Sequence, residues 1–528
     1  MKHLLTQWQM AVKWSIALFA SLCCLLFWGC KQATHFQMQL EHMNELESII
    51  YVEGQAKILL LPIQESADES LLQIESGDGN KIMQTLDVHM AVDSIDYFVP
   101  LDLDNYRQGS GEAIMIRMKG LYNNAVTWDA IELVDTFDTT NRETFRPIYH
   151  HTPLYGWMND ANGLVYKDGE YHLYFQYNPY GSVWGNMHWE HKAPVIARDS
   201  LGHIFSGSSV VDVENTAGYG AGAIIAFYTS ASEKNGQIQC MAYSKDNGYT
   251  YTKYEKNPIL TPFDGIKDFR DPKVFWYNPE KKWIMIVSAD KEMRFYASYN
   301  LKDWTYLSAW GEGYGVQPRQ FECPDMVQLP VNGNKDYMKW VMIVNVNPGC
   351  YFGGSATQYF VGNFDGTKFV CDSPKETVKW LDWGKDHYAT VCFSNTCDRV
   401  IAIPWMSNWQ YANIVPTKQF RSANALPREL GLYEQDGEFY VSITPVKEVR
   451  DIRKEVREIS TFMVDTEYHV DTLLNENSGA YEIEMQFING TANIMGFKLF
   501  NEKGEEVDIY LDLLESRLVM DRTKSGIV

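Results

Sequence analysis

The stretch from Tyr155 to Tyr180 reads YGWMNDANGLVYKDGEYHLYFQYNPY. Its first half places one acid, Asp160, between the amides Asn159 and Asn162, and its second half alternates aromatic residues as a strand does. Amides hydrogen-bond to hydroxyl groups, and flat rings cover the C–H faces of sugars, so these residues suit a sugar-binding pocket. A turn of Asn, Asp and Gly that leads into a strand explains the same residues without any function.

Two later stretches also place an acid at a turn beside a strand. Residues 269–272 read FRDP, and residues 321–325 read FECPD. Residues 175–179, which read FQYNP, and residues 205–208, which read FSGS, complete an ordered set of five motifs. Any one of these motifs alone is weak evidence, but their order along one chain is specific.

This ordered set closely resembles glycoside hydrolase family 32, the family of fructan hydrolases and invertases. The resemblance covers roughly residues 145–528, and the usual opening motif of the family has proline at the position of Ala161. It implies an all-β protein whose catalytic domain is a five-bladed β-propeller with the three acids in its central funnel. It also implies sucrose or a fructan, such as inulin or levan, as the substrate.

The resemblance gives each acid a role in cleaving a glycosidic bond. This cleavage needs one ionised carboxylate to attack the anomeric carbon and one protonated carboxyl group to supply a proton to the leaving oxygen. By resemblance, Asp160 is the nucleophile, Glu322 is the general acid/base, and Asp271 binds fructose hydroxyls and stabilises the transition state. The family retains configuration, so we expect the carboxyl groups of Asp160 and Glu322 to lie about 5–5.5 Å apart.

Further residues in and around these motifs are predicted to bind the sugar. Arg270 supplies a fixed cation beside Asp271, although a salt-bridged Arg-Asp-Pro turn explains the same pattern. Trp157, Trp184 and Trp405 are candidate aromatic platforms, and core packing is the alternative for each. The predicted substrate-binding set is Asn159, Gln176, Trp184, Phe205, Ser206, Arg270 and Trp405.

Cysteine and aspartate residues beside the motifs have other expected places. Cys323 adjoins Glu322 and has the chemistry of a nucleophile, but no histidine lies near it in sequence, so we predict that it lines the pocket. Asp382 and Asp386 are expected at the edge of the funnel. Because carboxylates alone supply acid, base and nucleophile, we predict no metal and no cofactor. The cysteines beyond residue 30 form no Cys-x-x-Cys pair, and we predict no disulfide.

Composition narrows the possible partners. The 528 residues carry a formal net charge of −22, which repels phosphate backbones, so we expect no nucleic-acid partner. The aromatic content of 14% is typical of pocket-forming β proteins. The chain has no P-loop, no dinucleotide-binding fingerprint after a strand and no His-x-x-x-His pair.

The first 30 residues have the pattern of an export signal. A basic flank precedes an apolar run from Trp14 to Trp28, which ends at Gly29-Cys30 and is too short to be read as a membrane span. Gly29-Cys30 resembles a bacterial lipoprotein processing site, which predicts a cell-envelope protein attached through a lipid on Cys30. The alternative is simple secretion, with Cys30 in the discarded peptide.

The rest of the chain divides into three predicted domains. Residues 31–140 hold short apolar segments separated by Gly, Asp and Asn, and they predict an N-terminal β-sandwich-like domain followed by a linker. Residues 145–425 are assigned to the propeller. Residues 426–528 predict a C-terminal β-sandwich that is truncated relative to the family.

A weak internal repeat supports the propeller. Asn247, Asp303 and Gly366 lie in similar turns, and their separations of 56 and 63 residues are the size of a blade. The preceding repeat falls near His188-Trp189-Glu190, where the family has two His-Trp sites and this chain has one. We therefore expect a deletion that shortens the outer part of the first blade.

The principal hypothesis is an exported, retaining β-fructofuranosidase. Transfer of fructose to another sugar shares the first half of the chemistry, and only product analysis separates it from hydrolysis. A non-catalytic fructan-binding surface protein is the alternative of another class, motivated by Ala161, the short first blade and the truncation expected in the C-terminal sandwich. A five-bladed relative acting on arabinose or xylose is disfavoured by the motifs around Asp160 and Glu322.

Overall fold

The computed structural model describes residues 37–107, 112–140, 143–191, 194–454, 458–470, 479–488 and 490–526. The predicted signal segment and Cys30 lie outside these residues. The chain forms two compact units, which divide after residue 456. The helical segments described are short: Leu103–Asn105, Thr127–Ala130, Asn278–Glu280, Ala412–Ile414 and Lys447–Ile452. None of the described helices is long and apolar enough to cross a membrane.

The N-terminal part of the first unit is a β-sandwich, as predicted. One sheet has the strand order β1-β2-β7-β4-β5 and the other β6-β3-β8, and alternating apolar side chains of both sheets form one buried core. The strands are β1 (Met38–Asn44), β2 (Glu47–Val52), β3 (Ile58–Ile63), β4 (Ser70–Ser76), β5 (Ile82–Val88), β6 (Tyr97–Asp102), β7 (Ile114–Lys119) and β8 (Glu132–Val134).

The propeller follows, with five blades of four antiparallel strands each. The first three blades are formed by consecutive strands. Blade 1 consists of β9 (Gly156–Lys167), β10 (Glu170–Asn178), β11 (His188–Glu190) and β12 (Pro194–Ile196). Blade 2 consists of β13 (His203–Asp212), β14 (Ala223–Ser232), β15 (Gly236–Ser244) and β16 (Thr252–Lys253). Blade 3 consists of β17 (Phe269–Tyr277), β18 (Lys282–Ala289), β19 (Glu292–Ser298) and β20 (Thr305–Trp310).

The last two blades close the ring. Blade 4 consists of β21 (Phe321–Val331), β22 (Asn334–Val346), β23 (Ala356–Phe364) and β24 (Phe369–Cys371). Blade 5 consists of β25 (Tyr388–Cys392), β26 (Ile401–Trp405), β28 (Arg428–Gln435) and β29 (Glu438–Pro445). The short strand β27 (Phe420–Arg421) pairs in parallel with the start of β9 and joins the end of the propeller to its beginning.

Two-residue turns set the register of several hairpins. Asp168-Gly169 joins β9 to β10, Asn332-Gly333 joins β21 to β22, and Asp436-Gly437 joins β28 to β29. All six residues have positive φ, as a type I′ turn requires. These dipeptides therefore determine which residues of the paired strands face each other.

The predicted boundary of the propeller at residue 425 is wrong. Strands β28 and β29 complete blade 5, and Leu430 and Leu432 are buried in the core between blades 4 and 5. The alternating pattern identifies a strand pair but not the sheet that it joins, which is why the sequence assigned this pair to the following domain.

Blade 1 is short at its outer edge, in line with the sequence prediction. Its third strand, β11, has three residues, whereas the third strands of the other blades have seven to nine. Its inner strands β9 and β10 keep 12 and nine residues. The shortening therefore spares the strands nearest the propeller axis.

The N-terminal sandwich packs against blade 1. Tyr180, which follows β10, contributes its ring to the core of the sandwich. The backbone N–H of Ser182 donates to the Tyr97 hydroxyl over 2.7 Å. Arg198 pairs with Asp87, and the Asp87 backbone N–H donates to Asn186 over 2.9 Å.

The second unit contains an antiparallel sheet of three strands. These are β30 (Ile494–Phe500), β31 (Glu506–Asp512) and β32 (Arg517–Lys524), in that order. The alternation in residues 481–487 predicts a strand, but this segment pairs with none of the strands described. An alternating apolar and polar pattern is therefore not sufficient to form a strand when no other strand pairs with it.

Candidate active site

Each innermost strand of the propeller carries a β-bulge close to its first residue. At the bulge two consecutive residues lie opposite one residue of the next strand, which bends the strand and re-aims its side chains. The predicted site residues cluster at these bulges. The bulged pairs are Asn159-Asp160, Phe205-Ser206, Asp271-Pro272, Cys323-Pro324 and Ala389-Thr390.

Residues at equivalent places before the bulge contact one another across blades 3, 4 and 5. They are Arg270, Glu322 and Tyr388. Arg270 Nη2 donates to Glu322 Oε1 over 2.8 Å, and the Tyr388 hydroxyl donates to Glu322 Oε2. Both oxygens of the predicted acid/base are therefore held by neighbouring blades, while the Glu322 side chain stays 18% exposed.

The first residues of the bulges in blades 3 and 4 form a second contact. The Cys323 backbone N–H donates to Asp271 Oδ2 over 2.8 Å, and the Asp271 backbone N–H donates to Thr229 Oγ1 over 2.9 Å. Asp271 and Cys323 have φ of 63° and 42°. This left-handed conformation is uncommon for residues other than glycine, and such strain concentrates at functional sites.

A third contact lies two residues beyond the start of the bulge. Lys273 Nζ donates to Asp325 Oδ2 over 2.8 Å and to the Cys392 carbonyl over 3.0 Å. Asp325 is fully buried and Lys273 nearly so. Since the pair joins the strands that carry Asp271 and Glu322, it fixes those strands relative to each other.

Asp160 lies on β9 with little exposed surface. Its Oδ2 accepts a hydrogen bond from the Ser206 hydroxyl over 2.7 Å and from Cys323 Sγ over 3.4 Å. Burial raises the pKa of Asp160, and the bonds from Ser206, Asn159 and Cys323 oppose that rise. Asp160 Oδ1 is buried without a hydrogen-bond partner among the described residues.

Burial also raises the pKa of Asp271, to about 7. Arg270 and the Cys323 backbone N–H oppose this rise because both favour the charged carboxylate. Arg270 Nε lies 3.8 Å from Asp271 Oδ2, and Arg270 Nη1 also pairs with Asp268 over 2.5 Å. One buried guanidinium thus faces three carboxylates, which makes the cluster a coupled network.

The surroundings of Cys323 favour its protonated thiol, which donates a hydrogen bond to Asp160. Burial and the nearby carboxylates of Asp160 and Asp271 raise the pKa of its thiol well above the usual range. The thiolate is the nucleophilic form of cysteine, so this environment disfavours attack by sulfur. This agrees with the prediction that Cys323 lines the pocket.

The other predicted polar residues also lie at the bulges. Gln176 lies opposite the Asn159-Asp160 bulge, and its Nε2 is buried with no hydrogen-bond partner among the described residues. Asn159 Oδ1 accepts a bond from Trp157 Nε1 over 2.8 Å, which leaves the Asn159 amide nitrogen as the donor. Ser206 bonds to Asp160.

The tryptophans differ in exposure. Trp184 is 45% exposed and meets Phe205 edge to face, with 5.8 Å between ring centroids. Trp157 and Trp405 have no exposed surface and pack against each other and Trp409. The prediction of Trp157 and Trp405 as sugar platforms is therefore corrected, because their faces are covered by other rings.

The two acids predicted at the funnel edge are both engaged. Asp382 accepts a bond from Arg428 Nη1 over 2.9 Å and lies 3.4 Å from His387 Nδ1. The pKa of Asp382 is lowered despite burial because His387 and Arg428 favour its charged form. The Tyr411 hydroxyl donates to Asp386.

Three residues of the cluster were missed by reading the sequence. Asp325 ends the FECPD motif without an assigned role, and Lys273 and Tyr388 lie outside the five motifs. Lys273 and Asp325 take equivalent places after the FRDP and FECPD bulges, and Tyr388 takes the place of Glu322 in the next blade. An alignment of the inner strands on these motifs would have identified all three residues.

Among the described residues, no group of His, Cys, Asp and Glu side chains has the arrangement of a metal site. The six described cysteines are free.

Comparison with models of protein families shows which family the chain belongs to. The model of the glycosyl hydrolases family 32 N-terminal domain matches residues 150–442, more than half of the chain. The chain belongs to glycosyl hydrolase family 32. The family 32 C-terminal model matches residues 448–528, and a domain of unknown function (DUF4980) matches residues 44–149, which include strands β2 to β8 of the N-terminal sandwich.

Individual relatives of this family 32 protein carry the names levanase, invertase and exo-inulinase. It is 45% identical over 403 residues to a levanase of Bacillus subtilis (strain 168), covering 73% of this chain and 59% of that protein. It is 41% identical over 320 residues to invertase 2 of Saccharomyces cerevisiae, covering 56% and 59%. The chain therefore spans about three fifths of the length of these curated relatives.

Solved structures in the family share the fold. An exo-inulinase from Aspergillus awamori superposes with a TM-score of 0.62 at 31% identity, over 74% of this chain and 84% of that one. A β-fructofuranosidase from Schwanniomyces occidentalis complexed with fructosyl-erythritol gives a TM-score of 0.60 at 32% identity, over 72% and 81%.

Proposed function

We propose that this family 32 protein is a retaining β-fructofuranosidase that hydrolyses fructans or sucrose. The observation that carries the proposal is the cluster of Asp160, Asp271 and Glu322 on three inner strands, connected through Arg270 and Cys323. The names of the relatives, among them levanase, invertase and exo-inulinase, support fructosides as the substrate class.

In the first half of the reaction, Asp160 attacks the anomeric carbon of the fructosyl unit. Ser206, Asn159 and Cys323 favour the ionised form of Asp160 that attack requires, against the effect of burial. Glu322 gives its proton to the leaving oxygen, and the bonds from Arg270 and Tyr388 hold its carboxyl group in one orientation. A fructosyl ester on Asp160 results.

In the second half, Glu322 takes a proton from water, which attacks the ester and releases fructose with its original configuration. Asp271 binds hydroxyls of the fructosyl ring and stabilises the positive charge that develops at the ring oxygen and anomeric carbon. The unpartnered polar atoms of Asp160 and Gln176 are the groups that these hydroxyls would satisfy. No metal or cofactor is needed for either step.

Substrate contacts beyond the acids are proposed for the predicted residues that have open polar groups or surface. Asn159, Gln176 and Arg270 would hydrogen-bond to the fructosyl ring. Trp184 and Phe205 would form its aromatic wall, since Trp184 is nearly half exposed.

We also propose that the protein is exported. Relatives named as extracellular exo-inulinases support export, and the sequence at Gly29-Cys30 supports attachment to the cell envelope through a lipid on Cys30. Metabolic labelling with a radioactive fatty acid tests the attachment, with Cys30→Ala as the control that should lose the label.

Reducing-sugar release from sucrose, inulin and levan tests the activity. The unaltered protein should release fructose, and Asp160→Asn should reduce the rate to background because the nucleophile is absent. Turnover by Asp160→Asn comparable to the unaltered protein would overturn the assignment. If the unaltered protein binds fructan without releasing sugar, it is a binding protein, and if fructose appears attached to other sugars, it is a transferase.

A further inference from the structure

The mouth of the propeller carries a cluster of three exposed aromatic side chains at blades 4 and 5. Tyr351, Phe352 and Trp383 are 73%, 57% and 62% exposed. The Tyr351 ring meets Phe352 at 4.9 Å and Trp383 at 6.1 Å between centroids, with interplanar angles of 84° and 72°. Two separate loops thus bring three large rings together on the surface, and we call these rings the rim cluster.

The rim cluster lies at the same end of the propeller as the candidate catalytic acids. Strand β22 pairs Asn345 with Glu322 and ends at Val346, so the loop that bears Tyr351 and Phe352 leaves the blade beside Glu322. The loop that bears Trp383 leads into Tyr388, whose hydroxyl bonds to Glu322. The cluster is therefore continuous with the mouth of the site.

The loops under the rim cluster are held in place. The buried side chain of Asn408 accepts bonds from the backbone N–H groups of Ser355 and Gln410 and donates to the carbonyl of Lys385, at 3.2, 2.9 and 2.9 Å. Trp409, next to Asn408, stacks on Trp157. Both aromatic loops are thus tied to the wall of the pocket, which keeps the rings exposed in a fixed position.

The size of the rim cluster favours a sugar chain over a protein partner. A whole aromatic side chain has roughly 150–250 Å² of surface, so these rings expose no more than about 500 Å². A stable protein interface needs about 800 Å² on each partner. Hydrogen-bonding groups also lie beside the rings, since Lys385 Nζ donates to Gln410 Oε1 over 2.5 Å.

We propose that the rim cluster binds the units of a fructan chain that lie beyond the bond being cleaved. This inference rests on the proposed function and deepens it. The rings cover the C–H faces of furanose units, and sucrose has no furanose unit beyond the bond being cleaved. The cluster therefore raises affinity for polymers and leaves sucrose hydrolysis unchanged.

The test compares substrates of different length. Tyr351→Ala, Trp383→Ala and the double variant should raise KM for levan or inulin by about fivefold or more, because ring contacts with sugars are lost. They should change kcat and the KM for sucrose by less than about twofold. Tyr299→Ala is the matched control, since Tyr299 is 70% exposed and follows the opposite end of blade 3.

Migration in native gels that contain levan or inulin gives a readout independent of catalysis. The unaltered protein and Tyr299→Ala should be retarded more than the double variant, also in an Asp160→Asn background. Equal retardation, or equal loss of sucrose and polymer hydrolysis, would overturn the inference. If no substrate is hydrolysed, the proposed function fails and the gels still decide the inference. If the alanine variants do not fold, Tyr351→Phe and Trp383→Phe serve in addition. Each keeps an aromatic ring, so each should be retarded like the unaltered protein.

Discussion

The funnel centre and the outer edge of blade 1 differ in the contacts and the length of their strands. At the centre, Arg270 and Tyr388 each donate a hydrogen bond to Glu322 of the blade between them, and Lys273 and Asp325 form a buried ion pair. At the outer edge of blade 1, the strands are three residues long. The comparison teaches that inner strands carry both the cohesion and the candidate chemistry of the propeller, so an outer edge can shrink while the centre keeps its geometry.

The outer edge of blade 1 is in contact with the N-terminal sandwich. The N-terminal sandwich contacts the segments on either side of β11 and β12 through Tyr97, Asp87 and Arg198. A half-buried acid, Glu190, lies within this edge, and its Oε2 has no hydrogen-bond partner in the part of the chain that the structure describes. The edge therefore contains one buried polar atom whose hydrogen-bonding capacity the described residues do not satisfy.

The largest effect is expected at the centre, from Glu322→Gln. The variant removes the proton donor, so kcat should fall by about 10³-fold or more. The loss of kcat/KM, which reports the first half of the reaction, should be much smaller for a fructoside with an acidic phenol leaving group, which departs without a proton. Asp336→Asn, an exposed acid on the same blade, serves as the control. An equal loss of kcat/KM for both substrates would contradict the acid role.

The next effect is on stability, from Asp325→Asn or Lys273→Met. Each leaves a buried charge without its partner, so the free energy of unfolding in urea should fall by about 3–5 kcal/mol. Glu438→Gln breaks the pair between Lys379 and Glu438, whose acid is half exposed, and should cost less than about 1 kcal/mol. Similar losses for the two pairs would remove the distinction between the funnel centre and the outer strands of the propeller.

At the edge, Glu190→Gln should change the pH dependence of stability. Burial raises the pKa of Glu190 to about 8, above its value of 4.5 when exposed. Between about pH 5 and 8 the folded state therefore keeps Glu190 protonated while the unfolded state ionises it, so the free energy of unfolding of the wild-type protein falls as the pH rises through this range. Glutamine does not ionise, so the Tm of the variant should exceed that of the wild type by a difference that grows with pH. At pH 8 this difference corresponds to about 2 kcal/mol or more in the free energy of unfolding. A constant difference from pH 5 to 8 would show that Glu190 ionises normally.

The smallest effect is expected from Tyr97→Phe. Removal of the hydroxyl leaves the buried Ser182 N–H without its acceptor, which should lower the free energy of unfolding by about 1–2 kcal/mol. The kinetics on sucrose should stay within about twofold, because the inner strands are unaffected. Tyr122→Phe, at a position half exposed in the same domain, should be neutral. A large fall in kcat for Tyr97→Phe would mean that the edge controls the centre.

Sequence patterns were informative wherever local chemistry decides the structure. The alternating strands and the motifs around Asp160, Asp271 and Glu322 lie within a few residues of the features that they predict. The assignment of β28 and β29 to blade 5 depends on packing against a distant strand, which alternation does not encode. The burial of Trp405 likewise depends on Trp157 and Trp409.

The contacts of the candidate site were only partly predictable for the same reason. Motifs identified the residues that carry chemistry, but Tyr388, Lys273 and Asp325 are recognised only through the blades on either side. Tyrosine, lysine and aspartate are common residue types, and it is the position of these three residues relative to the bulge that gives them their role.

The bulge repeated in all five inner strands also acts as a register lock during folding. A regular strand can slip against its neighbour by two residues and keep the same faces buried. A strand with a bulge near its start cannot, because the extra residue must stay opposite one position of its partner. A single inserted residue between Phe321 and Cys323 would displace Glu322 or the bulge in blade 4, whereas the hairpin tips of the outer strands are free to change length.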